Sequence, residues 1–245
     1  MSRENISQDA LTQADRTSNE FSTYQGALGQ AGVQDIAAKM AGGEFLTRTG
    51  DQVAVSPGAN GFDDIYIGCA WNIRKTTNTF WGRLLGLSST RRVDLDLGVL
   101  YELSDGTRGA LQALGAADGA YDAPPYIVLS HDERSGLKDG DDEYMRVNGK
   151  LWEKIKRLLI YVYIYDGAVD WADVAPMVQV QITGQKPLSV RPQMARHNLS
   201  VCAVAMMEQT RGGFILSNLT QYFPGQAEMD RAFGFGVTWQ DGTKE

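Results

Sequence analysis

Residues that carry common chemistries are scarce in this chain. Its 245 residues include only two cysteines and two histidines. A structural zinc site needs clustered Cys and His ligands at short spacings, and none occur here. Cys69 and Cys202 stand far apart, with no C-x-x-C motif. Both fall within expected strands, where the reading is a buried, reduced thiol. A basic excess is also missing, because 23 Lys and Arg face 30 Asp and Glu for a formal net charge of −7. No stretch gathers the cations needed to neutralise a phosphate backbone, which excludes nucleic acid as a partner. No apolar run nears the ~20 residues of a membrane span. The polar start, Met1 to Glu20, is unlike a secretory signal, so the expectation is a cytoplasmic protein. No G-x-G-x-x-G follows a strand and no P-loop is present, so nucleotide binding has no motif. No repeat period of roughly 20–50 residues exists, which sets aside solenoids and propellers.

Apolar residues make up 43% of the chain, enough for a packed core. The acidic balance is uneven. Residues 50–183 hold nineteen acids against thirteen bases, whereas residues 184–245 hold five against six. Within that middle block, Asp132 to Glu143 packs six acids against Arg134 and Lys138. Like charges this close repel. A solvated acidic loop and a site neutralised by a bound cation are both consistent with that density.

Texture divides the chain. Residues 1–49 are rich in Ser, Thr, Gln, Ala and Gly, and are expected to be a flexible tail with one short helix near Val33–Met40. From Gly50 onward strands and turns dominate, and 50–245 is expected to be one β-sandwich domain, with 184–245 extending it. Gln52–Val55 and Ile65–Trp71 are expected strands, and Asn72–Thr90 an excursion loop. Val93 to Leu103 alternates cleanly, with Val93, Leu95, Leu97, Val99, Tyr101 and Leu103 on one face. Ser104-Asp-Gly-Thr107 is an Asp-Gly hairpin turn leading to a return strand from Gly109. Tyr126–Leu129 is a brief strand. Leu158–Tyr165 is β-branched and aromatic throughout. Its even-numbered residues, Leu158 to Ile164, face one way, and Leu159, Tyr161, Tyr163 and Tyr165 face the other. Asp170–Val174 suits a short helix. Strands follow at Met177–Thr183, Leu188–Val190, Asn198–Glu208 and Gly213–Tyr222, and Gln226–Phe233 reads as a short helix. Many short strands separated by Gly, Pro and Asp turns predict an all-β sandwich of two packed sheets. The basic run Lys150, Lys154, Lys156 and Arg157 around Trp152 reads as a solvated edge, or as a contact for an acidic partner or lipid head group.

Asp94 and Asp96 lie two apart on the alternating strand. Their side chains leave the same face roughly 7 Å apart. A second acidic group, Asp139-Gly-Asp-Asp-Glu143, sits in the loop. Hard oxygen ligands without Cys or His favour calcium or magnesium over zinc. The loop is not an EF-hand. With Asp132 at position one and Glu143 at twelve, position three is Arg134, position five is Gly136, and the required glycine at six is Leu137. Paired carboxylates such as Asp94 with Asp142 also suggest a glycoside hydrolase, a weaker reading because sequence supplies no separation. His131 borders the loop and His197 lies apart; both are read as histidines without catalytic duty.

The loop Ser130-His-Asp-Glu-Arg-Ser-Gly-Leu-Lys-Asp-Gly-Asp-Asp-Glu143 resembles the signature loop of the TerD family of tellurium-resistance and stress proteins. Asp132, Gly136, Gly140, Asp141, Asp142 and Glu143 match it without a gap. Val93-Asp-Leu-Asp-Leu97 resembles the family's Asp-Leu-Asp strand. Ile67-Gly-Cys-Ala-Trp-Asn72 resembles its Gly-Leu-Gly-Trp-Asp strand, and Gly50-Asp-Gln-Val53 its opening strand. The four matches keep order and spacing over about residues 50–183. The end of the chain, from Phe223 to Gly234, is closer to the TerA-like branch.

The resemblance implies a β-sandwich that binds calcium through Asp94, Asp96, Asp132, Asp141, Asp142 and Glu143, with Asn72 as a weaker ligand. It implies a non-enzymatic binding or scaffold role in a bacterial response to tellurite and other chemical stress. It also implies partners in a stress-response complex, peripherally at the membrane. The departures bear on the metal. Asn72 replaces a family aspartate, and Lys138 sets a positive charge beside the loop; both lower the ligand charge on which calcium affinity depends. The alternatives are a metal-independent interaction module and, less favoured, a carboxylate-pair hydrolase.

Overall fold

Period-two patterning is realised as two packed sheets. The computed structural model describes residues 43–70, 94–112, 118–129, 144–166, 171–193 and 198–239. Among these, the strands in chain order are β1 (Glu44–Leu46), β2 (Gln52–Val55), β3 (Ile65–Ala70), β4 (Asp94–Leu103), β5 (Arg108–Gln112), β6 (Gly119–Ala120) and β7 (Ile127–Leu129). They continue as β8 (Tyr144–Val147), β9 (Ile155–Asp166), β10 (Met177–Ile182), β11 (Leu188–Val190), β12 (Val201–Thr210) and β13 (Gly213–Phe223). A 3-10 turn covers Gly149–Lys154, and two short helices are α1 (Trp171–Val174) and α2 (Gln226–Phe233). One sheet runs β1-β11-β10-β3-β8-β7-β6 and the other β2-β13-β12-β9-β4-β5. Pairing is antiparallel except between β1 and β11.

Alternation decides what fills the space between the sheets. From β4, Leu95, Leu97, Val99 and Leu103 enter the inter-sheet core, and from β9 so do Leu158, Ile160 and Val162. They meet Ile65, Ile67, Met145, Val178 and Val180 of the facing sheet. Leu159, Tyr161 and Tyr163 point outward from β9, yet they too are buried, in a second apolar cluster with Met229 and Phe235. The α2 segment therefore covers the outer face of the six-stranded sheet, and this explains why β9 is apolar on both sides.

The β4–β5 turn forms as its residues dictate. Gly106 takes a φ of 89°, which favours glycine. The Asp105 carboxylate accepts from the Thr107 N–H at 2.8 Å and closes the turn.

The basic run corrects one expectation. β9 lies between β12 and β4, so Lys156 and Arg157 stand on an interior strand and not on a solvated edge. Trp152, amid the run, is buried against Phe62 and Phe214, and its indole N–H donates to the Gly213 carbonyl at 3.1 Å. Lys150, Lys154 and Lys156 stay exposed, and Lys156 and Arg157 pair with a buried carboxylate described below. β1 lies ahead of the texture change at Gly50 and joins the seven-stranded sheet beside β11. β11, β12 and β13, all beyond residue 184, belong to the two sheets themselves. The helix expected near Val33–Met40, the excursion Asn72–Thr90, the acidic loop and both histidines lie outside the described residues.

Candidate functional site

The strand ends near the expected ligands converge by register. In the seven-stranded sheet, Gly68 pairs with Tyr144 and Leu129 with Met145. The end of β3, the end of β7 and the start of β8 therefore share one end of that sheet. In the other sheet, Asp94 at the start of β4 pairs with Asp166 at the end of β9. The ten residues 167–176, carrying α1, link the end of β9 to the start of β10, where Met177 pairs with Ala70 of β3. A link this short holds the two sets of strand ends together. Trp171 of α1 fastens it, being fully buried, donating to the Leu199 carbonyl at 2.7 Å and packing 5.5 Å from the Tyr222 ring.

Asp96 is the expected ligand whose side chain the structure describes. It lies on the outward face of β4, opposite Tyr163, and is only 5% exposed. The Tyr161 ring crosses the strand beside it. Gly98 makes that crossing possible: a Cβ there would sit 2.2 Å from Tyr161 Cζ. The Tyr161 hydroxyl donates to Gln112 Oε1 at 2.8 Å. Burial raises the Tyr161 hydroxyl well above its ordinary value, and the Asp96 charge raises it further. Tyr161 is thus a neutral wall beside the carboxylate. Asp94 is placed by its backbone at the start of the same strand. Asn72, Asp132, Asp141, Asp142 and Glu143 lie outside the described residues. Among the described residues, no three His, Cys, Asp or Glu side chains converge in a metal-binding group.

Two charged centres were not anticipated from sequence. In the first, Glu102, 2% exposed, accepts from Arg157 Nε at 2.6 Å, Lys156 Nζ at 2.7 Å and Arg108 Nη2 at 3.2 Å. Burial alone would raise its carboxyl. The hydrogen bonds from Lys156, Arg157 and Arg108 outweigh burial and bring it down to about 2. In the second, Arg146 grips Asp64 Oδ2 through Nε at 3.0 Å and Nη2 at 2.6 Å. The Tyr121 hydroxyl donates to the other Asp64 oxygen, and the Arg146 guanidinium lies 4.2 Å above the Tyr121 ring. The available signal was weak: Arg108 faces Glu102 across the Asp-Gly hairpin, but Asp64 and Arg146 are 82 positions apart.

Cys69 and Cys202 are buried in the inter-sheet core. Burial pushes the Cys202 thiol well above its ordinary value, so it stays protonated and unreactive near neutrality.

No family model matches the chain. It is 35% identical over 199 residues to the tellurium resistance protein TerA of Alcaligenes sp., an alignment covering 81% of this chain. The chain spans 58% of that relative's length. A crystal structure of a TerD homologue from Streptomyces coelicolor A3(2), a relative of the telluride resistance protein, superposes with a TM-score of 0.43 at 17% identity, over 69% of this chain and 95% of that one. A protein of unknown function superposes with a TM-score of 0.46 at 15% identity, with the same coverage. The similarity to TerA runs through most of the chain. By that sequence relationship, the chain belongs to the TerD-type family of tellurium resistance proteins.

Proposed function

We propose that the chain is a calcium-binding, non-enzymatic component of a tellurium- and stress-response system. The reading is supported chiefly by Asp96, a carboxylate only 5% exposed on the outward face of β4, at the end of the sandwich from which the acid-rich loop sequence departs. A divalent cation shared by Asp96 with the carboxylates of Asp94, Asp132, Asp141, Asp142 and Glu143, with Asn72 adding an amide oxygen, would relieve the repulsion among these acids. On this reading the protein acts by binding. Its partners are other proteins of a stress-response complex, and the complex works peripherally at the membrane; among the described residues no helix is long and apolar enough to cross one.

Calorimetric titration of calcium and magnesium into the purified chain tests this reading. Saturable calcium binding that disappears in the double variant Asp141→Ala, Asp142→Ala is the expected result. Absence of calcium heat, with partner binding unchanged by a chelator, would leave a metal-independent interaction module in its place.

A further inference from the structure

We propose that residues 226–239 form a releasable cap on the outer face of the six-stranded sheet, seated by a latch centred on Glu102. The face beneath is an apolar strip made by Leu100, Leu159, Tyr161, Tyr163, Val201 and Met206. The cap presses Met229 and Phe235, both fully buried, onto that strip, and Phe233 packs 6.0 Å from Phe223 at its edge.

The cap is closed on itself. Asp230, 3% exposed, accepts from the backbone N–H of Gly236 at 2.7 Å, that of Val237 at 2.8 Å and the Trp239 indole at 3.1 Å. Gly234, at φ 66°, ends α2 with its N–H on the Asp230 carbonyl at 2.7 Å. These bonds lie within the segment and travel with it. Polar attachment to the sheet runs through two arginines. Arg157 donates to the carbonyls of Phe233 at 3.0 Å and Gly234 at 3.2 Å, and its guanidinium lies 4.1 Å above the Phe235 ring. Arg108 donates to the Phe235 carbonyl at 3.3 Å. The exposed carbonyls at the end of a helix carry partial negative charge, which suits the cations.

Glu102 does not touch the cap. It fixes both arginines, and Lys156 beside them, in the orientation that reaches it. It is a positioning residue for the cap, buried within the sheet. Tyr161 and Tyr163, which flank Asp96 on the outer face, lie partly under the cap, so release opens the face that also bears the candidate acid site. The latch stands on its own and does not depend on calcium binding.

Hydrogen exchange on the full chain tests the latch. In Glu102→Gln, amides of residues 226–239 should exchange at least about tenfold faster, while β9, β12 and β13 keep wild-type protection. Arg157→Gln, which leaves Glu102 paired with Arg108 and Lys156, should show the same confined loss and serves if Glu102→Gln does not fold. Unchanged exchange in the cap would overturn the proposal. So would a loss shared equally by cap and sheet, because the cap would then be an inseparable part of the core.

Discussion

Gly98 has no side chain, and the Tyr161 ring occupies the space one would need. Tyr161 is fully buried in a packed cluster and cannot swing aside. Gly98→Ala should therefore destabilise the fold by roughly 1–3 kcal/mol through overpacking, read as a lower denaturant midpoint with an unchanged slope. Glu102 sets a pH dependence at the same scale. Its carboxyl sits at about 2 in the folded protein, below the ordinary 4.5. A depressed folded value means the contribution is complete above the unfolded value and is lost as pH falls from about 4.5 through about 2. Melting temperatures of wild type and Glu102→Gln should thus converge as pH falls through that window, and a constant gap would contradict the assignment. Neither effect was legible from sequence. Each depends on the residue paired with it across the sheet, Tyr161 for Gly98 and Arg157 for Glu102.

Elements were more legible than their surroundings. β4 was readable because its residues alternate along its length, and β9 because Leu158–Tyr165 is β-branched and aromatic throughout. β8 was missed: Tyr144–Val147 is four residues long and directly follows the acidic loop, too short for its alternation to stand out. The 3-10 turn at Gly149–Lys154 was hidden inside a basic run, where charge suggested solvent. The lysines are exposed as that suggested, but Trp152 is buried, and its burial depends on Phe62 and Phe214, which approach from distant parts of the chain. α1 was expected, but its task of tying the ends of β9 and β10 was not. Trp171→Phe keeps most of the packing and removes the bond to Leu199. It should cost about 1 kcal/mol, or somewhat more if the Leu199 carbonyl stays buried without a donor, as measured by equilibrium unfolding.

For the whole molecule, the proposed calcium function predicts linkage. A ligand that binds the folded chain alone raises its stability by about 2.7 kcal/mol at a hundredfold excess over the dissociation constant. Calcium should therefore raise the melting temperature, and Asp141→Ala with Asp142→Ala should abolish the rise. An unchanged melting curve at saturating calcium would remove the metal from the account. The sequence by itself determined the β-sandwich class, the family and the positions of the acidic residues. These follow from local period-two alternation, turn chemistry and ordered motifs, all readable along one strand of text. Tertiary structure alone decided that β9 is buried on both faces, that Lys156 and Arg157 pair with the buried Glu102, and that the last helix caps the sheet. Each of these depends on which distant strand lies alongside and which segment folds over it. Such pairings are set by contacts far apart in sequence, where alternation carries no information.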